Sequence, residues 1–245
     1  MDFTHLYETF RALEDPNFWQ DAYMKFYRAW FEADRWKQYF EGLATTVQVT
    51  VMALIIGVIL GVVVAMIRTA HDQQRPGRRN PFLGVVNFLC KVYVTIIRGT
   101  PMMVQLLIMG LVIFASNRNK TIIGALSLGI NSGAYVAEII RGGLMSLDPG
   151  QNEAGRSLGL GYFDTMRFIV IPQAFKAVLP ALGNEFITLL KDTSLISVIG
   201  GKEIVYFAQA IITRTYETMY PYLITAVMYL IMVLIFTWLQ SKLER

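Results

Sequence analysis

Charge and cysteine are both scarce in this sequence. Asp, Glu, Lys and Arg make up 16% of its 245 residues, against 54% hydrophobic residues, whereas a soluble domain carries about 25% charge. So little charge cannot solvate so apolar a chain, which argues against an ordinary soluble domain and for lipid contact. The single cysteine, Cys90, excludes an intrachain disulfide, and its apolar setting reads as packing. The first residues, MDFTHLYETF, lack a basic region leading into a short apolar core, so they are not expected to be a cleavable signal peptide. No internal repeat is evident. A phosphate-binding GxxxxGK[ST] motif is missing too: Gly200-Gly201-Lys202-Glu203 lacks the loop length and the hydroxyl that cradle phosphate and magnesium. The net charge of +4 would suit nucleic acid or an anionic membrane surface, and its placement favours the membrane.

What the sequence does have is long apolar runs. Residues 43–67 carry no charge; as a helix they extend roughly 37 Å, enough to cross a bilayer with some tilt. A second run, from about Phe82 to Ala115, is interrupted by RGTP at 98–101. Arg98 is expensive in hydrocarbon, and Pro101 removes an amide donor, so one bent or locally unwound crossing is expected. Further spans are expected at about Thr121 to Ile140, Phe168 to Leu190 and Tyr220 to Leu239. Residues 68–81 contain four arginines and one aspartate, while residues 1–41 carry eight acidic and five basic side chains. The positive-inside rule therefore predicts an all-α membrane protein with five spans, N-out and C-in.

Two segments stand outside the spans. Residues 1–41 form an aromatic-rich extracytoplasmic segment in which Tyr23, Phe26, Tyr27 and Trp30 recur at helical spacing. That pattern fits an interfacial helix or a docking surface. The remainder, 42–245, holds the spans and an expected cytoplasmic loop at about 147–167. There Asp148 is placed to cap a short helix, with Pro149 at its first position. Gly155, Gly159 and Gly161 offer close approach or reversal, and Tyr162, Phe163, Met166 and Phe168 form an apolar surface. Residues 152–180 contain no nucleophile–base pair, metal-ligand cluster or phosphate loop.

The motifs of this loop resemble those of a known family. Glu153-Ala154-Gly155, three residues, then Gly159 is similar to the Glu-Ala-Ala signature of permease subunits of binding-protein-dependent ABC importers. The third alanine is glycine here, and Ala177-Val178-Leu179-Pro180 matches the later Ile-x-Leu-Pro loosely. The polar amino acid branch is resembled more widely, through RGTP at 98–101, SGAYVAEIIRGG at 132–143, DPGQNEAGRSLGLG at 148–161 and IPQAFKAVLPALGNEFITLLKDTSLISVIG at 171–200. The likeness runs from about Gly42 to Lys242; the first 41 residues lie outside it.

This resemblance implies a multi-pass component of a bacterial inner or plasma membrane, not itself an enzyme, that passes a polar amino acid into the cytoplasm. It implies no cofactor on this chain, with ATP and magnesium on partner subunits. The implied partners are two cytoplasmic ATP-binding subunits, a second permease subunit, identical or homologous, and an extracytoplasmic amino-acid-binding protein; nucleic acid is not among them. Glu153, Ala154, Gly155 and Gly159 would belong to a coupling helix seated in the ATPase. A zwitterionic cargo needs polar groups in an apolar passage, and the candidates are Arg98, Thr100 and Gln105 in the second span, Asn131, Ser132, Tyr135 and Glu138 in the third, and Asn184, Glu185, Thr188, Lys191 and Asp192 in the fourth. Arg98 stands out because RGTP also breaks its helix. Glu138 also reads as a partner of Arg141, and Lys191 and Asp192 as interface anchors. Two other classes of function remain open at this point: an ion-gradient-driven secondary transporter and a membrane scaffold.

Overall fold

The computed structural model describes residues 3–74, 80–148 and 150–243, without the side chains of residues 152 and 162. Among the described residues, five helical segments are long and apolar enough to cross a membrane: Glu32–Asp72, Pro81–Gly99, Lys120–Met145, Phe163–Ile199 and Met219–Leu243. They match the five expected spans, with ends that run further than the apolar stretches alone. In chain order the helices are α1 (Phe3–Arg11), α2 (Phe18–Trp30), α3 (Arg35–Asp72), α4 (Pro81–Gly99), α5 (Met102–Leu107), α6 (Lys120–Met145), α7 (Gly150–Ser157), α8 (Tyr162–Thr165), α9 (Ile171–Asp192), α10 (Ile204–Thr215) and α11 (Met219–Leu243).

Helices α3 and α6 form the spine, because small residues on each let the two backbones close up. A β-carbon at Gly57 would lie 2.7 Å from Ser132 Oγ, and one at Gly129 would lie 2.7 Å from Ile56. Gly61 and Gly133 repeat the arrangement four residues further along each helix, which is the small-xxx-small pattern of membrane helix pairs. Buried Val49, Ala53, Leu128 and Leu189 continue the contact into a core shared with α5 and α9.

The second crossing is broken, as RGTP led us to expect. Asn80 caps α4, its Oδ1 accepting from the Phe82 amide at 2.9 Å, with Pro81 at the first position. After Gly99 the backbone is extended at Thr100 and Pro101. It then re-enters helix at α5 and widens into a π-type turn over Ile108–Ile113.

The N-terminal segment differs from the single interfacial helix read from its periodicity. Helices α1 and α2 form a hairpin, and the four periodic aromatics divide between two faces. Tyr23 and Tyr27 turn towards α1, with Tyr27 stacked on Tyr7 at 4.5 Å. Phe26 and Trp30 instead meet Tyr220 and Tyr39. Residues three and four apart share a helix side, but a wide aromatic arc can serve two neighbours at once. Arg28 Nη2 fastens the hairpin by donating to Thr215 O, at the end of α10, at 3.2 Å.

Candidate functional site

The loop between α6 and α9 is folded around a short helix, α7. Asp148 Oδ1 accepts from the Gly150 amide at 2.8 Å and starts α7; Pro149, expected beside it, lies outside the described residues. Gly159 ends the helix with φ +77°. Its amide donates to Arg156 O at 2.9 Å, and the Leu160 amide donates to Gly155 O at 3.0 Å. This pair of bonds is the Schellman closure, whose left-handed residue favours glycine. Glu153 and Ala154 are exposed, and Gly155 is buried. A β-carbon at Gly155 would lie 2.6 Å from Thr165 Oγ1 and 2.7 Å from its methyl, so the glycine in the third signature position makes room for threonine.

One side of this loop is tied down and the other is open. Gln173 Nε2, on α9, donates to Gln151 Oε1 at 3.0 Å, while a cleft of ≈ 810 Å³ separates α7 from the end of α3. Leu158 is 77% exposed and Phe163 84% exposed. Large apolar side chains presented this fully in a polar loop mark a docking surface more readily than a solvated turn.

The polar candidates of the spans are held at several places. At the break in the second crossing, Pro101 has no amide to offer Ile97 O, and Gln105 Nε2 supplies the missing donor at 2.8 Å. The same nitrogen also reaches Thr100 Oγ1 at 2.8 Å, and Gln105 Oε1 accepts from Asn131 Nδ2 at 3.0 Å. Arg98 lies over the Tyr135 ring, 5.2 Å from its centroid. Ser132 Oγ donates to Glu185 Oε1 at 2.7 Å. Ser132 and Tyr135 lie about 20 Å along α6 from its start, near the middle of the helix. Asn184, Thr188 and Lys191 are exposed at four- and three-residue spacing on one face of α9, and Asp192 is half-buried beside them.

Glu138 stands apart from these groups. It forms ion pairs with Arg68, at the end of α3, and with Arg141 Nη2 at 3.1 Å. The Arg141 pair was legible from the three-residue spacing; Arg68, seventy positions away, was not.

A sequence profile described as "Binding-protein-dependent transport system inner membrane component" matches residues 80–245. The chain belongs to this family. The permease is 36% identical over 165 residues to the glutamine transport system permease protein of Escherichia coli, a match that covers 66% of this chain and 75% of that protein. It is 37% identical over 210 residues to the arginine transport system permease protein of Bacillus subtilis, covering 84% and 90%. Among solved structures it resembles an amino acid ABC transporter crystallised with histidines, with 41% identity, a TM-score of 0.76, and coverage of 85% and 94%. An inward-facing MetNI methionine transporter, 17% identical with a TM-score of 0.70, shares the fold.

Sequence reading missed α10 and the residue that starts it. Glu203, fully buried, accepts from the Val205 and Tyr206 amides at 2.8 Å each and from the Tyr229 hydroxyl at 2.9 Å. Burial pushes its carboxyl up to about 7, against the pull of those three donors. The available signal was an acidic residue directly before an apolar run, the position of a helix cap.

Proposed function

We propose that the permease is the membrane-spanning subunit of an ATP-driven importer, N-out and C-in, that carries a polar amino acid into the cytoplasm across a bacterial inner membrane. The permease domain is residues 42–245, and residues 1–41 stand on the extracytoplasmic side. Two ATP-binding subunits, which hold the ATP and magnesium, seat α7; a second permease subunit, identical or homologous, completes the pore; and a soluble binding protein delivers the cargo. The carrying observation is the lever: an eight-residue helix, followed by exposed Leu158 and, on α8, exposed Phe163, and fastened to α9 through Gln151 and Gln173. Glu153 and Ala154 form the face towards the ATPase, Gly155 seats the helix on Thr165, and Gly159 turns the chain behind it. When the ATPase subunits close, motion of α7 reaches α9 directly.

The exposed polar stripe on α9 supports a water-lined passage, because a lipid-facing helix would not keep Asn184, Thr188 and Lys191 on its open side. Arg98 with Tyr135 faces the passage, whereas Ser132, expected there too, is fully buried against α3 and instead holds Glu185 in place. Thr100 and Gln105 hold the broken helix, Glu138 ties α3 to α6, and Asp192 stands with Lys191 at the outer end. Glutamine, glutamate and basic amino acids are the cargoes to try first, in keeping with the names of the relatives.

The test is uptake of labelled amino acids into vesicles containing the purified complex, with binding protein outside and ATP inside. Wild type should transport only with ATP. A double substitution, Leu158→Ser with Phe163→Ser, should abolish both uptake and co-purification of the ATPase subunit while helical content stays intact. Uptake driven by an ion gradient without any ATPase would overturn the reading.

A further inference from the structure

Three apolar stripes converge at a place the transport reading does not use. Phe26 and Trp30 on α2, Phe40 on α3, and Leu223, Val227 and Ile231 on α11 wall a groove of ≈ 500 Å³ whose lining includes no charged side chain. The three α11 residues are about half exposed, so the groove lies open along the flank of a membrane span. From Tyr220 to Ile231 it follows about 16 Å of α11, and one leaflet of a ~30 Å hydrocarbon core is about 15 Å deep.

Its upper end is closed by a collar of rings. Phe26 meets Tyr220 at 6.4 Å, Trp30 meets Phe40 at 6.3 Å, and Phe40 meets Trp36 at 6.1 Å. Aromatic rings of this kind sit at the level of lipid headgroups. Two solvent-exposed ion pairs stand next to the collar: Lys25 with Asp21 at 2.7 Å, and Lys37, which also lies over the Trp36 ring, with Asp34 at 2.6 Å. Each offers one cation and one anion side by side, the complement of a headgroup that carries both phosphate and ammonium.

We propose that this groove is a phospholipid site: one acyl chain lies along α11 beneath the N-terminal hairpin, and a zwitterionic headgroup rests on the paired charges at the rim. A groove one leaflet deep, open sideways to hydrocarbon and capped at the interface, fits a chain that is anchored at that interface. The bound lipid extends the contact between α2 and α11 that Phe26 and Tyr220 begin.

The full chain, reconstituted in phosphatidylethanolamine–phosphatidylglycerol vesicles and re-extracted in mild detergent, should retain phosphatidylethanolamine that native mass spectrometry detects. Leu223→Trp or Val227→Trp, each filling the groove, should remove it. Ile59→Trp, a substitution at an exposed position on α3 away from the groove, should not. Circular dichroism identifies any variant that has lost its fold, and the second groove variant then decides. Equal retention in the wild type and both groove variants, or equal loss in Ile59→Trp, would overturn the site. So would efficient disulfide cross-linking of two copies through Val227→Cys, which would mean that a second chain covers the groove.

Discussion

Gly155 and Thr165 share one small volume at the base of α7. Gly155→Ala places a methyl group 2.6 Å from the buried Thr165 hydroxyl, and overpacking of this kind costs about 1–3 kcal/mol. The expected result is a lower melting temperature for the solubilised chain and weaker coupling of ATP hydrolysis to uptake. Adding Thr165→Ala should restore both. If Gly155→Ala alone melts like wild type, the close contact is not what selects glycine here. At Gly159 the constraint is the backbone: Gly159→Ala must hold φ at +77°, which costs a β-carbon about 1 kcal/mol. Asn should be tolerated better than Ala, and comparing the two melting temperatures checks it.

At the scale of elements, breaks are held by single side chains. Gln105 stands in for the amide that Pro101 lacks and links α5 to Asn131 on α6. Gln105→Leu leaves Ile97 O and Asn131 unpaired, a loss of about 1–3 kcal/mol that thermal unfolding should detect. Glu203 does comparable work for α10, and its burial adds a pH dependence. In the unfolded chain its carboxyl titrates near 4.5, and in the folded chain at about 7. Between those values the folded chain keeps a proton that the unfolded chain has released. Stability contributed by this group is therefore full below about pH 4.5, falls as the pH rises, and levels off above about 7. Glu203→Gln cannot titrate, so its melting temperature should decline less than that of wild type across this window. Parallel curves for the two proteins would show that Glu203 does not titrate there.

Across the whole molecule, the proposed passage requires one side of the permease to be wet and another to face lipid. In a background where Cys90 is replaced by Ala, Asn184→Cys, Thr188→Cys and Leu223→Cys divide these sides. The two α9 positions should react with a membrane-impermeant maleimide in vesicles, with binding protein and ATP altering the rate. Leu223→Cys should stay inert. Reaction at Leu223→Cys with none at Thr188→Cys would place the passage on the wrong face of the bundle.

The number of spans, the break at RGTP and the position of a glycine-bounded loop between α6 and α9 were all legible along the chain. Each depends on neighbours within one helix: sustained hydropathy, a missing amide, a left-handed turn. Packing between helices, in contrast, is what lets Arg68 grip Glu138, brings Thr165 into the space beside Gly155, and rests the hairpin of α1 and α2 on α10 and α11. Those outcomes depend on how far each helix is rotated against the next. That rotation is set by where Gly57 and Gly61 meet Gly129 and Gly133 across the α3–α6 contact, and no pattern within a single helix encodes it.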